Sequence, residues 1–214
     1  MGGIESYHDG QARIFKLELG PFSNNGYILV DAGTGEGAIV DAPPEGERLL
    51  AAAPGVRISS ILITHGHADH LASLGLLKDA TGAPVMAFPG EPGLPPWAPE
   101  IPLEDGSQIA IGGLLWRVLH TPGHTPGSLC FSYGRHLIAG DTLFPGGPGH
   151  SDSPQDLRQE IDSIVSKLYV LPDNTIVCPG HGPNTTIGRS RAEYAVSASR
   201  PHPPDLCGDV LWEA

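Results

Sequence analysis

The sequence predicts a single α/β domain, and three observations support this prediction. Apolar, β-branched runs typical of strands alternate with stretches of helical periodicity along the 214 residues, without long internal repeats. A hydrophobic content of 40% provides an ample core for a chain of this length. The 29 glycines and 22 prolines are spread along the chain, which argues against a disordered protein.

The individual elements follow from these patterns. The predicted strands cover residues 13–19, 26–31, 38–41, 58–64, 114–120, 136–140 and 175–178. Turns at residues 24–26 (NNG) and 33–35 (GTG) are expected to join the first three strands. The predicted helices cover residues 45–53, 69–80, 154–169 and about 188–199. Ser153 is the expected N-cap of the third helix and Pro154 its first residue.

The most informative feature is a set of histidines and aspartates on turns where predicted strands end. The first segment, THGHADH at residues 64–70, begins at the last residue of the predicted strand 58–64. Three Gly- and Pro-rich turns follow: TPGHTPG at 121–127, GDTLF at 140–144 and PGHG at 179–182. Polar groups on turns at the ends of buried strands are typical of an active site on a rigid scaffold. Together the segments supply His65, His67, Asp69, His70, His124, Asp141 and His181.

These residue types indicate a metal centre. Neutral imidazole nitrogens and carboxylate oxygens are ligands for zinc, iron and manganese. His65 and His67 lie two apart in extended or loop backbone, so both rings can converge on one ion. Asp69 and His70 begin the next helix, where they can be aimed at a second ion. Three ligands on each ion, with one further carboxylate shared between them, leave room for a bridging hydroxide, which is the arrangement of a two-metal hydrolytic centre.

The residues over about 13–187 resemble the metallo-β-lactamase superfamily, whose pattern is T-H-x-H-x-D-H followed by a histidine, an aspartate and a histidine. GHTPG at 123–127 and GDTLF at 140–144 are similar to the glyoxalase II-like branch, the hydroxyacylglutathione hydrolases. Antibiotic-hydrolysing members usually lack the bridging aspartate that Asp141 would provide. The resemblance implies an αβ/βα sandwich, in which two mixed β-sheets lie face to face with helices on the outer faces.

The resemblance also implies a ligand set and a mechanism. The implied ligands of the first metal are His65, His67 and His124. Those of the second metal are Asp69, His70 and His181, with Asp141 as the bridge. Two divalent ions are expected, zinc first, with iron or manganese as alternatives. A metal-bridging hydroxide would attack a thioester carbonyl, with Asp69 and Asp141 as the catalytic carboxylates.

The substrate is less well defined by the sequence. Longer glyoxalase II enzymes carry a C-terminal helical domain that binds glutathione. Only 33 residues follow His181, so one domain over residues 1–214 without that addition is expected. Related shorter members carry a G-R-T-D-F segment whose arginine contacts glutathione, but residues 149–153 are GHSDS here. His150 and Arg189 are therefore candidate substrate contacts, and another low-molecular-weight thiol ester or a lactone is an alternative to a glutathione ester.

Other activities compatible with this pattern stay open. Persulfide dioxygenases resemble the same branch and use a single iron, here on His65 or His67 with His124 and Asp141. Two histidines and one carboxylate are a credible iron site. A lactonase or β-lactamase is an alternative among the hydrolases. A metal-binding protein without catalytic activity is the third alternative.

Composition narrows the range of partners. The formal net charge of −12 and the lack of a basic run argue against nucleic acid or an anionic membrane, which leaves a small thioester or related ester as the expected partner. No apolar run is long enough to cross a bilayer and no signal sequence is apparent, so a cytoplasmic location is expected. The three cysteines, Cys130, Cys178 and Cys207, are expected to be free, with the two in strands buried. The Gly- and Pro-dense segment 89–99 is either a cover for the site or an inert surface loop. The sequence favours no particular oligomeric state.

Overall fold

Two β-sheets lie face to face at the centre of the protein, and helices cover their outer faces. The structure is a computed structural model that describes residues 3–212. Residues 1, 2, 213 and 214, which belong to the predicted domain, lie outside the described residues. The αβ/βα sandwich implied by the family resemblance is confirmed.

The first sheet contains seven strands that follow one another in chain order. They are β1 (Ile4–Asp9), β2 (Ala12–Leu19), β3 (Asn24–Asp31), β4 (Glu36–Val40), β5 (Arg57–Leu62), β6 (Val85–Ala87) and β7 (Ile101–Pro102). The first four strands are antiparallel, and β4 to β7 are parallel, so the sheet is mixed. Its helices are α1 (Gly46–Ala52), α2 (Ala68–Leu71) and α3 (Leu74–Thr81).

The second sheet contains six strands in the order β15-β14-β11-β10-β9-β8. They are β8 (Gln108–Ile111), β9 (Leu114–His120), β10 (Leu129–Tyr133), β11 (His136–Gly140), β14 (Ile176–Pro179) and β15 (Thr185–Thr186). A small hairpin, β12 (Leu143–Phe144) and β13 (Gly147–Pro148), follows β11. The helices here are α4 (Pro154–Ser163), continued by a π-helical turn (Ile164–Leu168), and α5 (Ile187–Ala198). None of the helices within residues 3–212 is both long and apolar enough to cross a membrane.

Apolar side chains fill three layers. The central layer lies between the sheets, where Leu29 of β3 and both Trp116 and Phe131 of the second sheet are fully buried. One outer layer packs the first sheet against α1 and α3, and the other packs the second sheet against α4 and α5. Because buried apolar area is the main source of folding free energy, these layers hold the strand ends in fixed positions.

The predicted strands are confirmed with shifts of a few residues, but the predicted turn at residues 24–26 is wrong. Asn24 to Gly26 begin β3, and the chain turns before them instead. The asparagine side chains explain this difference, because both make distant hydrogen bonds. Asn24 donates to Asp69 at 2.7 Å, and Asn25 donates to the carbonyl of Pro179 at 2.9 Å.

The predicted helix over residues 69–80 is also wrong as a single element, because it is divided into α2 and α3. Ser73 lies at the break. Its backbone N–H donates to the carbonyl of Ala42, and its hydroxyl donates to that of Pro43 and accepts from the N–H of Gly46. These bonds hold the chain away from helical geometry. The predicted third helix is confirmed as α4 with its π-helical turn, and Ser153 caps it by accepting from Asp156 N–H.

Candidate metal centre

The seven predicted ligands come together at one end of the sandwich, because each lies just after a strand. His65, His67, Asp69 and His70 follow β5, and His124 follows β9. Asp141 follows β11, and His181 follows β14. The first sheet therefore contributes four of these side chains and the second sheet three.

Three histidines form one candidate ligand set. The Nε2 atom of His65 lies 3.1 Å from Nδ1 of His67, and Nε2 of His124 lies 3.0 Å from the same Nδ1. All three nitrogens lie within 4.8 Å of one another. Three nitrogens that face one point at these separations form a donor set for one cation.

A second set lies beside the first. The Nε2 atoms of His70 and His181 are 3.2 Å apart. Oδ2 of Asp69 lies 3.8 Å from Nε2 of His70 and 3.3 Å from Nε2 of His181. Two imidazoles and one carboxylate are again a donor set for a divalent ion.

Asp141 lies between the two sets. Its Oδ2 atom is 3.7 Å from Nε2 of His124 and 3.5 Å from Nε2 of His181, and its Oδ1 atom is 3.5 Å from Nε2 of His70. Oδ1 is buried and has no hydrogen-bond partner among the described residues. A buried carboxylate oxygen without a donor is costly unless a cation satisfies it, so its position fits a bridging ligand. Gly180 allows this approach, because a Cβ there would lie 2.0 Å from Oδ1.

The outer ring nitrogens fix the tautomers of three histidines. Nδ1 of His70 lies 2.9 Å from Oδ2 of Asp41. Nδ1 of His124 lies 2.8 Å from the carbonyl oxygen of His150, and Nδ1 of His181 lies 2.9 Å from that of Phe22. Because these partners only accept, each Nδ1 carries the proton and each Nε2 lone pair faces the centre.

Asp41 also orients His65. The carboxylate accepts from the backbone N–H and the hydroxyl of Thr64, each at 2.8 Å. The Thr64 hydroxyl, having given its hydrogen to Asp41, accepts from Nδ1 of His65 at 3.0 Å. One buried aspartate thus fixes a histidine of each set. The sequence analysis missed this role, although Asp41 does end a predicted strand.

The charges in the centre suit metal binding. Burial lowers the pKa of His65 and of His124, which keeps these rings neutral. Burial acts to raise the pKa of Asp141, but the facing rings of His181 and His70 outweigh it and hold that pKa well below its usual value. Burial opposes protonation of His70 and His181, yet Asp41 and Asp141 leave the pKa values of these two rings raised, so a cation would displace protons from them on binding. Burial likewise opposes ionisation of Asp69, yet the Asn24 hydrogen bond leaves its pKa lowered. Neutral imidazole and ionised carboxylate are the states that bind cations.

Glu91 is a second residue that the sequence analysis missed. It is only 5% exposed. Its Oε1 accepts from Gly66 N–H at 2.8 Å, and its Oε2 accepts from Gly127 N–H at 2.7 Å. Gly66 lies between His65 and His67, and Gly127 follows His124. One carboxylate therefore joins the two loops that carry the whole first ligand set.

The segment 89–99 is thus not an inert loop throughout, because Glu91 belongs to it. Its backbone also packs against the ligand loop: a Cβ on Gly66 would lie 1.6 Å from the carbonyl oxygen of Pro92. Trp97, further along, is 47% exposed. The first part of the segment supports the centre from behind, and the part around Trp97 faces solvent.

The two candidate substrate contacts lie in different places. A cavity of about 330 Å³ opens beside the centre, and His150 lies on its rim. We call this cavity the mouth. Its lining residues are His124, Asp141, Phe144, Pro145, Gly147, Pro148, Gly149, His150, His181, Asp209, Val210 and Leu211. Arg189 is not among them; it lies on α5, where its Nε donates to Glu193 at 2.7 Å.

Glu160 of α4 lies directly behind the His124 turn and is fully buried. Its Oε1 accepts from Gly149 N–H at 2.9 Å, and its Oε2 has no hydrogen-bond partner among the described residues. Burial raises the pKa of this carboxyl to about 9. A Cβ on Gly123 would lie 2.2 Å from Cβ of Glu160, so the ligand-bearing turn packs closely on the helix.

The cysteines lie outside the ligand sets. Cys130 and Cys178 are buried in strands, as predicted, and burial raises their pKa values to about 11 and about 12. Cys207 is exposed. All three are free thiols.

Comparison with known proteins identifies the family. The model of the metallo-beta-lactamase superfamily matches residues 19–181, well over half of the chain. The chain therefore belongs to the metallo-beta-lactamase superfamily, whose members bind metal ions and are generally metal-dependent hydrolases.

Two relatives share about a third of their residues with this chain. An uncharacterized protein of Aquifex aeolicus is 34% identical over 195 residues, which cover 82% of this chain and 92% of that protein. A hydroxyacylglutathione hydrolase of Anaeromyxobacter dehalogenans is 35% identical over 161 residues, which cover 75% of this chain and 62% of that protein. The match thus spans less than two thirds of that hydroxyacylglutathione hydrolase.

Three solved structures have the same fold. The BLEG-1 B3 metallo-beta-lactamase is 30% identical with a TM-score of 0.73, covering 84% of this chain and 96% of that one. ETHE1 from Myxococcus xanthus is 26% identical with a TM-score of 0.72, covering 88% and 81%. TTHA1623 in a di-iron-bound form is 32% identical with a TM-score of 0.69, covering 83% and 96%.

Replacing Glu91 tests whether its carboxylate organises the first ligand set. In Glu91→Gln one oxygen becomes an NH₂ group that faces a backbone N–H, so one loop loses its acceptor. We expect the affinity of the protein for Zn²⁺ to fall about tenfold or more, measured by competition with a chelator. Glu47→Gln, on the exposed side of α1, is the matched control. Equal affinities in Glu91→Gln and the wild type would contradict this role.

The raised pKa of Glu160 predicts a pH-dependent stability. From its ordinary value of 4.5 up to about 9, the folded chain keeps a proton that the unfolded chain has lost. The contribution of this group to the free energy of unfolding therefore falls as the pH rises through that range. Glu160→Gln keeps the acceptor for Gly149 and does not titrate. Its stability relative to the wild type should increase by up to about 1.4 kcal/mol per pH unit, measured by urea unfolding of metal-free protein. A constant difference across this range would refute the prediction.

Proposed function

We propose that this chain is a binuclear metal-dependent hydrolase that cleaves a hydroxyacyl thioester. The observation that carries the proposal is the position of Asp141 between two complete three-residue ligand sets. The similarity to a hydroxyacylglutathione hydrolase supports the thioester as the substrate class. The net charge of −12 favours a small molecule over a polyanion as the partner.

The proposed ligands fit two divalent ions, zinc first, with iron or manganese as alternatives. The first ion would be held by His65, His67 and His124. The second would be held by Asp69, His70 and His181, and Asp141 would be shared. When bound, such a pair lowers the pKa of a shared water toward neutrality and polarises a carbonyl group.

The carboxylates of the chain have distinct proposed roles. Asn24 donates to Oδ2 of Asp69 at 2.7 Å and thereby fixes the direction of that carboxylate. The other oxygen of Asp69 would accept a hydrogen bond from the attacking water and so orient that water. Asp141 keeps the two ligand sets at a fixed separation. A thiolate leaves without prior protonation, because thiols ionise near neutral pH, so this reaction does not need a general acid.

A mononuclear iron dioxygenase acting on a persulfide is the second candidate. The proximity of Asp141 to His124 and His65 favours it, because two histidines and one carboxylate are a credible iron site. The complete second set around His181 favours two ions instead. A β-lactamase or lactonase is the third candidate, supported by the similarity to BLEG-1.

The metal content distinguishes the first two candidates. We expect close to two metal equivalents in protein purified without added metal or chelator, measured by mass spectrometry of the elements. In Asp141→Ala the content should fall by at least one equivalent, and hydrolysis of a 2-hydroxyacyl thioester should fall at least about a hundredfold. Asp79→Ala, an exposed aspartate of α3, is the matched control.

Two results would contradict the binuclear assignment. One is full activity together with full metal content in Asp141→Ala. The other is a single equivalent of iron in the wild type together with oxygen uptake on a persulfide, which would favour the dioxygenase.

A further inference from the structure

The walls of the mouth are mainly apolar. His124, Asp141 and His181 line it on the side of the metal centre. The hairpin β12–β13 supplies one wall, and the C-terminal segment around Leu211 supplies the other. The apolar side chains that line it are Phe144, Pro145, Pro148, Val210 and Leu211.

The C-terminal wall is fixed in place. The N–H of Trp212 donates to the carbonyl of Gly146 at 2.7 Å, and the N–H of Gly208 donates to that of Ser151 at 2.9 Å. Trp212 is 2% exposed, which anchors the end of the segment in the core. Leu211 lies beside it yet is 59% exposed. A large apolar side chain exposed on a fixed wall of a cavity is suited to contact an apolar part of a ligand.

The rim of the mouth carries acidic groups. Nδ1 of His150 lies 3.0 Å from Asp209, and its Nε2 lies 3.6 Å from Asp152. None of the described residues that line the mouth is a lysine or an arginine. Arg200 lines a neighbouring depression, which shares Asp209, Val210 and Leu211 with the mouth. A carboxylate on the ligand would therefore approach Asp209 without a facing cation in the lining.

We propose that the mouth favours a thioester whose thiol carrier is uncharged or cationic with an apolar body, and discriminates against carriers with carboxylates such as glutathione. This inference rests on the proposed thioesterase function. Asp209 and Leu211 are the residues that would select the carrier. His150 contributes to this selection by its contact with Asp209. An arginine at position 150 would instead attract a carboxylate of the carrier.

The experiment compares three thioesters with the same 2-hydroxyacyl group. Their carriers are N-acetylcysteamine, which is uncharged, 3-mercaptopropionate, which is small and anionic, and glutathione. We expect kcat/KM for the uncharged ester to exceed that for the mercaptopropionate ester about fivefold at low salt, because like charges at contact distance repel by about this factor in water. The ratio should shrink at high salt, since the charges are exposed.

Two variants assign the selection to named residues. Asp209→Lys should raise kcat/KM for both anionic esters above that for the uncharged one. Asp79→Lys on α3 changes the net charge equally away from the mouth and should leave the ratio unchanged. Leu211→Ala should raise KM for the uncharged ester about threefold to tenfold. Leu115→Ala, which removes a leucine of similar exposure (58%) on β9, is its control.

A binding measurement separates recognition from turnover. Calorimetry with the non-hydrolysable thioether analogues of the same three carriers should reproduce the order of affinities, and Asp209→Lys should reverse it.

The outcomes distinguish this inference from the proposed function. If none of the three thioesters is hydrolysed, the thioesterase function fails. If the glutathione ester is the best substrate, the thioesterase function stands and the carrier assignment is overturned. Identical ratios in Asp209→Lys and Asp79→Lys would also overturn it.

Discussion

The centre depends on where four of its imidazole rings carry their protons. His70, His124 and His181 each donate an outer N–H to a fixed acceptor, and His65 donates to Thr64. These acceptors belong to the protein and not to a cation, so the inner lone pairs are aligned by the fold itself. Folding therefore already brings the donor atoms together, so a cation that binds here would not have to order them. This pre-organisation increases the affinity for the cation.

Hydrogen bonds around the centre also connect the two halves of the sandwich. Asn25 of β3 reaches the carbonyl of Pro179 in β14, and Phe22 accepts from His181 of the second sheet. The first sheet carries His65 to His70, whereas His124, Asp141 and His181 come from the second. Because a cation would bind side chains from both sheets, its binding would stabilise their packing as well as complete the centre.

The meeting of the seven histidines and aspartates at one edge was predictable from the sequence because it follows local signals: strands that end in turns carrying these residues. Their role as metal ligands stays a prediction. Most strands and helices were predictable for the same reason. The start of β3, the break before α3, and the roles of Asp41 and Glu91 were not, since each depends on a hydrogen bond to a distant segment. An Asn-Asn-Gly run favours a turn until Asp69 and Pro179 offer its amides better partners. The single-domain extent and the cytoplasmic location stay predictions.

The close packing at Gly66 changes how the family pattern applies to this chain. In T-H-x-H-x-D-H the third position is written as variable, since it holds no ligand. Here that position faces the backbone of Pro92 and Gly93 so closely that a methyl group would collide with a carbonyl oxygen. Any larger residue would push residues 91–93 outward and draw Glu91 away from both loops. In this sequence, Gly66 therefore tolerates as little change as His65 and His67 on either side of it.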